Sequence, residues 1–131
     1  MNINLALLLT RDPGFEKTVT EALTEIGAKV LIKHDIDQTL EIGCKRAADF
    51  DVVLIDRSDC HAITLLTALH ACRHDLPVVV VTSGNASHCA ALAYANGATA
   101  CLAKPISAAD LKLAFHDLCE PNLRLATALC P

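Results

Sequence analysis

Three residues whose side chains can do chemistry each close an apolar run. Asp56 follows Val52-Val53-Leu54-Ile55, Thr82 follows Val78-Val79-Val80-Val81, and Lys104 follows Cys101-Leu102-Ala103. A fourth group, Thr10-Arg11-Asp12, follows the apolar stretch from Ile3 to Leu9. Short apolar runs rich in β-branched residues read as strands buried on both faces, which belong to a parallel sheet covered by helices. In open sheets of that kind, ligands and reactive groups gather at the carboxyl ends of the strands. A carboxylate, a hydroxyl and an ammonium would then meet at one edge. Taken singly, each has a plainer role: Asp56 as a cap, Thr82 as a turn hydroxyl, Lys104 as a surface charge. Whether they converge depends on the elements that carry them.

Strands and helices alternate along the chain. After the first strand, Pro13 opens a helix at a position where a missing N–H costs little. Phe15, Val19, Leu23 and Ile26 fall on one face of it, and Gly27 suits its C-cap. Lys29 to Ile32 reads as a short edge strand, and a weaker helix starts near Asp37 with Leu40, Cys44 and Ala47/Ala48 inward. The strand ending at Asp56 follows, then a helix over about Ala62 to Arg73 that packs through Leu65, Leu66 and Leu69. Pro77 precedes the fourth strand, and Thr82-Ser83-Gly84-Asn85 leads into a fourth helix ending at Asn96-Gly97. A short strand over about Thr99 to Leu102 precedes a last helix with a Ser107/Asp110 capping box and a Leu111, Phe115, Leu118 face. Such strict alternation requires right-handed crossovers. The expected fold is a flavodoxin-like (βα)5 three-layer sandwich, a parallel five-stranded sheet of order 2-1-3-4-5. Residues 1–120 form the one expected domain, and 121–131 a tail or the start of a linker in which Leu123, Ala126 and Leu129 keep helical spacing.

Bulk properties exclude several classes. With 131 residues and 53% apolar content, the chain can bury one aliphatic core. A formal charge of −4 and no basic run argue against a nucleic-acid surface. No apolar stretch is long enough to span a bilayer, and Met1-Asn2-Ile3-Asn4 lacks the positive region of a signal peptide. Seven cysteines without CxxC pairs resemble neither a disulfide framework nor a zinc site. They are expected to be reduced small hydrophobes in a cytoplasmic protein.

With the order 2-1-3-4-5, the sequence resembles the receiver domains of bacterial response regulators over about residues 3 to 119. The resemblance rests on Asp56 after Val-Val-Leu-Ile, on Pro77-Val-Val-Val-Val-Thr82-Ser83, on Gly97-Ala98, and on Lys104-Pro105. It implies that Asp56 accepts a phosphoryl group from the phosphohistidine of a histidine kinase, that Thr82 senses the acyl phosphate, and that Lys104 binds its oxygens. The residue types suit that chemistry: a carboxylate nucleophile, with fixed cations and donors for the phosphoryl oxygens.

The departures from the family pattern bear on the cofactor. Receivers carry acidic residues after the first strand to hold Mg²⁺; here Thr10 and Arg11 stand there, leaving Asp12 and Asp56 as metal ligands of doubtful sufficiency. A divalent ion ~4 Å from a guanidinium is repelled by roughly 8 kcal/mol at an effective dielectric of about 20. Arg11 is therefore expected either to replace the metal by pairing with Asp56 or to swing into solvent. No cofactor is expected, or at most a weakly held Mg²⁺. Cys101 occupies the place of a switching aromatic, and the loop after Asp56 reads Arg57-Ser58-Asp59-Cys60-His61. The expectation is an atypical receiver, or pseudo-receiver, that works by binding proteins without turning over a substrate. The alternative is a competent phosphoacceptor using Asp56 and Asp12 with weak Mg²⁺. A flavodoxin-like small-molecule binder is disfavoured, because Pro13-Gly14 offers no phosphate-cradling loop.

Remaining signals are weaker. His70, Cys72 and His74 cannot all face one ion, since helical residues two apart diverge. Cys60, beside Asp56, invites a redox-sensing reading that nearby Arg57 supports only thinly. The fourth helix, Ala86 to Asn96, has no charged residue, which suggests a covered outer face. Receivers use the face of the fourth helix, fifth strand and fifth helix for contacts. A homodimer or partner contact is expected there, centred on Leu92 and Tyr94.

Overall fold

The computed structural model describes residues 3–57, 59–83 and 87–119. The expected tail at 121–131 and the loop residues Gly84 and Asn85 lie outside the described residues, as do the side chains of Cys60 and Cys89.

Five strands and five helices alternate: β1 (Leu5–Leu9), α1 (Pro13–Glu25), β2 (Lys29–Lys33), α2 (Ile36–Lys45), β3 (Val52–Asp56), α3 (Cys60–Cys72), β4 (Val78–Ser83), α4 (Ser87–Ala95), β5 (Ala100–Lys104) and α5 (Ala108–Cys119). All strands are parallel in one sheet of order β2-β1-β3-β4-β5. The flavodoxin-like α/β architecture expected from the alternation is the one formed.

The period of two along each strand sorts the core into two layers. Ala6, Leu8, Val52, Leu54, Val79 and Val81 face α1 and α5, meeting Phe15, Val19, Leu23, Leu111 and Phe115. Leu7, Leu9, Val53, Ile55, Val78 and Val80 face the other way, onto Leu65, Leu66 and Leu69 of α3 and Ala93 of α4. Residues buried on both faces of a strand have no polar position to fill, which is why the runs are continuous rather than alternating. Asp51 ties β3 to the start of β1, accepting from the Asn4 amide at 2.7 Å and the Leu5 amide at 3.1 Å.

Local signals end the helices where expected. Gly27 takes φ +79 behind α1, and the Gly27 and Ala28 amides donate to the Thr24 and Leu23 carbonyls in a Schellman closure. At α5, the Asp110 amide donates to Ser107 Oγ at 3.1 Å, completing the capping box.

One expectation about the cysteines is overturned. Cys44 and Cys72 are not separate reduced thiols but a disulfide linking α2 to α3, with Cα atoms 5.5 Å apart. The physical cause is close helix packing. A Cβ on Gly43 would stand 2.5 Å from Leu69 Cδ2, so only glycine lets α2 approach α3 this nearly. Nothing in the cysteine spacing announces this, because the approach is set by the neighbouring glycine.

Candidate functional site

The carboxyl ends of β1, β3 and β5 bring three of the expected residues into contact. Lys104 Nζ stands 2.8 Å from Asp56 Oδ2 and 2.9 Å from Asp12 Oδ2, an ammonium shared by two carboxylates. The same nitrogen lies 4.8 Å from the Phe15 ring centroid, a cation–π contact on its apolar side. Asp56 is nearly enclosed, its side chain 11% exposed. Asp12 is the N-cap of α1, where its Oδ1 accepts from the Gly14 and Phe15 amides.

Thr10 completes the contacts of Asp56. Its hydroxyl is buried, donates to Asp56 Oδ2 at 2.6 Å, and accepts from the Asp12 amide at 3.0 Å. Asp56 Oδ2 thus receives a hydroxyl and an ammonium from two other strand ends. In the sequence Thr10 stands out only as a missing acid; that it hydrogen-bonds Asp56 depends on the β1–β3 register, which pairs Leu9 with Ile55.

Arg11 takes a different partner from the one expected. Its Nε donates to the His34 carbonyl at 2.9 Å, while the cation paired with Asp56 is Lys104. The reason is local: His34 Nδ1 lies 2.9 Å from the Thr10 carbonyl, so the chain after β2 folds against the chain after β1 and offers Arg11 an acceptor there. Thr82 is buried, with its hydroxyl donating to the Leu102 carbonyl at 3.4 Å. Cys101, on the edge strand, is half-exposed; its thiol donates to the Ala90 carbonyl at 3.6 Å and its amide to the Tyr94 hydroxyl at 3.1 Å.

Proton affinities follow these contacts. Hydrogen bonding to Lys104, then to the Phe15 amide, holds the Asp12 carboxyl below its ordinary range. Burial pulls Lys104 down, but its hydrogen bonds to Asp56 and Asp12 outweigh that and leave it raised. Hydrogen bonding to Arg57, the residue that follows β3, holds Asp59 far below the usual carboxylate range.

An open cavity of about 500 Å³ sits over this cluster, lined by Arg11, Asp12, Asp56, Arg57, Asp59 and Lys104 together with Ser83. Three acids and three bases line it, so its formal charge is zero. Among the described residues no group of three or more His, Cys, Asp or Glu could hold a metal ion. His70 and Cys72 have other partners: His70 Nε2 lies 2.9 Å from the Leu76 carbonyl, and Cys72 is bonded to Cys44.

The family model that describes the response regulator receiver domain matches residues 7–116. The chain belongs to that family. Receiver domains serve two-component signalling, exchange signals with histidine kinases and other signalling proteins, and in general bind Mg²⁺. Among solved structures, a receiver domain protein from Clostridium thermocellum superposes with a TM-score of 0.81 at 22% identity, covering 94% of this chain and 99% of that one. A CheY-like receiver from Methanospirillum hungatei superposes at 0.76 with 20% identity, covering 92% and 99%. NtrX from Brucella abortus superposes at 0.82 with 22% identity, covering 98% of this chain and 30% of that larger one. No curated protein matches the chain in sequence. No helix of the described residues is long and apolar enough to cross a membrane.

Proposed function

We propose that this receiver works chiefly as a cytoplasmic protein-interaction module, with Asp56 as its phosphoacceptor and Mg²⁺-dependent phosphorylation at that residue impaired. The observation that carries the reading is that Thr10 and Arg11 stand where the family carries acids, Thr10 donating to Asp56 and Arg11 to the His34 carbonyl, so that only Asp12 and Asp56 remain as carboxylates there. The donor set does not fit a resident Mg²⁺. Asp12 is engaged with the N-terminus of α1, Asp56 with Thr10 and Lys104, and the cavity has no net negative charge. Phosphoryl transfer would rest on Asp56 as nucleophile, with Lys104 neutralising the incoming oxygens and the Thr82 hydroxyl within the same strand-end layer. The domain turns over no external substrate.

Incubation with acetyl phosphate, with and without Mg²⁺, tests this by mass spectrometry of the intact chain. Expected is a sparse adduct, changed less than roughly tenfold by Mg²⁺ and lost in Asp56→Asn. Stoichiometric, Mg²⁺-dependent phosphorylation would instead establish the second reading, a competent switch using Asp56 and Asp12. That reading is favoured by one observation: the two carboxylates already share a single cation.

The proposed contact surface is α4-β5-α5, for a second copy or a signalling partner. Leu92 and Tyr94 stand 42% and 54% exposed on a helix without charge, with Leu113 of α5 also exposed. Sedimentation at high concentration should show self-association that Tyr94→Glu abolishes.

A further inference from the structure

We propose that Cys44 and Cys72 are a reversible two-electron redox site, oxidised by low-molecular-weight disulfides, that locks α2 onto α3. Their Cα separation of 5.5 Å lies within the range of roughly 4.4–6.8 Å that a disulfide spans without backbone movement. Two features hold the two positions in register. Gly43 packs directly against Leu69, which brings the residue after one beside the residue three beyond the other. Arg73, next to Cys72, donates through Nη1 to the Ala47 carbonyl at 2.8 Å and the Phe50 carbonyl at 2.7 Å, clamping the α2–β3 connection to the end of α3. Cys72 is exposed and Cys44 half-buried, so a small reagent reaches the pair from solvent.

The exchange balances without any group foreign to it. The exposed Cys72 thiolate attacks one sulfur of the small disulfide, breaking its S–S bond and releasing one small thiolate. Cys44, as thiolate, then attacks the Cys72 sulfur of the mixed disulfide, and the second small thiolate leaves. Two protein thiols lose two protons and two electrons; the small disulfide takes up the electrons and becomes two thiols. Reduction runs the same steps backwards.

The consequence falls on α2. Its fully buried residues are Thr39 and Gly43, and its large apolar side chains Ile36, Leu40 and Ile42 pack against the core only partly buried, so a covalent tie adds to a modest anchorage. At its other end, Asp35, Asp37 and Gln38 face Arg57 and His61 across an open cavity of about 580 Å³. Arg57 also lines the cavity over Asp56, so the N-terminal end of α2 borders a residue that the two cavities share.

The test equilibrates the full chain in glutathione buffers of increasing oxidised fraction, followed by acid quench, alkylation and peptide mapping. Expected is one cross-linked peptide joining Cys44 to Cys72, which dithiothreitol removes. The oxidised form should melt on the order of 10 °C higher, as for a link closing a separation of 28 residues. Amides of α2 should exchange at least roughly tenfold more slowly in that form. Cys72→Ser and, independently, Cys44→Ala should erase both differences while the fold remains. Alkylation of both thiols at every ratio, a link to a different cysteine such as Cys101, or identical α2 exchange in the two forms would overturn the proposal.

Discussion

Two charge networks lie three residues apart in sequence at the end of β3, and they are built on opposite principles. Asp56 is 11% exposed and draws its partners from far along the chain, Lys104 from β5 and Thr10 from β1. Asp59 is 46% exposed and pairs with Arg57 at 2.6 Å and His61 at 3.4 Å, both its near neighbours in sequence. The first network exists only when the sheet has assembled in the right order. The second can form in any chain that brings two residues round a turn. A carboxylate enclosed with distant partners is therefore both a structural junction and a site. Its exposed neighbour is a solvated ion pair of small net worth, since exposed pairs contribute about 0–1 kcal/mol.

The largest expected effect comes from removing the shared cation. Lys104→Met leaves Asp56 enclosed and unpaired, and leaves Asp12 to the α1 N-terminus alone. A fully buried pair broken this way costs roughly 3–5 kcal/mol. Lys104 keeps 22% of its side-chain surface in water, so a loss of about 2 kcal/mol in urea unfolding is expected. Adding Asp56→Asn should recover much of it, because the uncompensated charge disappears with its partner. A single substitution no more damaging than a surface change would dissolve the contrast between the networks.

Next in size is Thr10→Asp, which puts a second acid where the hydroxyl now donates to Asp56. Without metal, two adjoining carboxylates repel and the variant should be about 1–2 kcal/mol less stable. With Mg²⁺ it should regain that stability, and more so with Arg11→Asp, while the parent chain should barely respond. Calorimetric titration checks both. Equal Mg²⁺ responses in parent and variant would mean that Thr10 and Arg11 are not what limits metal binding.

The networks also part company at high pH. Lys104 is raised above the ordinary lysine value, so its contribution is complete below about pH 10.4 and is lost as pH rises through its folded pKa. The stability gap between the parent and Lys104→Met should therefore narrow in that window. Asp59 pairs with a guanidinium that stays charged, so Arg57→Ala should show no such alkaline change. On the acid side both networks weaken alike: Asp12 and Asp59 are depressed, so their contributions hold above about pH 3.8 and fall away as pH drops through the folded values. Only alkaline titration separates the two.

What the sequence makes legible follows the same division. The strands are legible because Val52 to Ile55 and Val78 to Val81 are buried on both faces, and β-branched runs of that length suit a strand between two helix layers. Helix ends are legible at Gly27 and at Ser107/Asp110, where local chemistry decides. Asp56 and Lys104 are legible as strand-end residues, since strand order alone brings them together. The choice among nearby partners is not. Arg11 follows β1 as Asp12 does, and the turn carrying His34 is what gives it an acceptor. Thr10 looks like a deletion of charge, whereas its hydroxyl is a hydrogen-bond donor to Asp56. The Cys44–Cys72 link follows from Gly43 meeting Leu69, a fact of helix packing with no trace in cysteine spacing.

The smallest effect gives the sharpest contrast. Arg57→Ala removes the nearer of the two partners of Asp59, three residues from the enclosed network, yet Asp59 remains exposed and can be solvated by water. Unfolding free energy should change by less than about 0.5 kcal/mol, within the range for surface substitutions. A double-mutant cycle of Arg57→Ala with Lys104→Met should be additive within about 0.5 kcal/mol if the networks are independent. Coupling well beyond that figure would mean that Arg57 shares in balancing Asp56 across the cavity they both line, and that the enclosed carboxylate has a second cation in reserve.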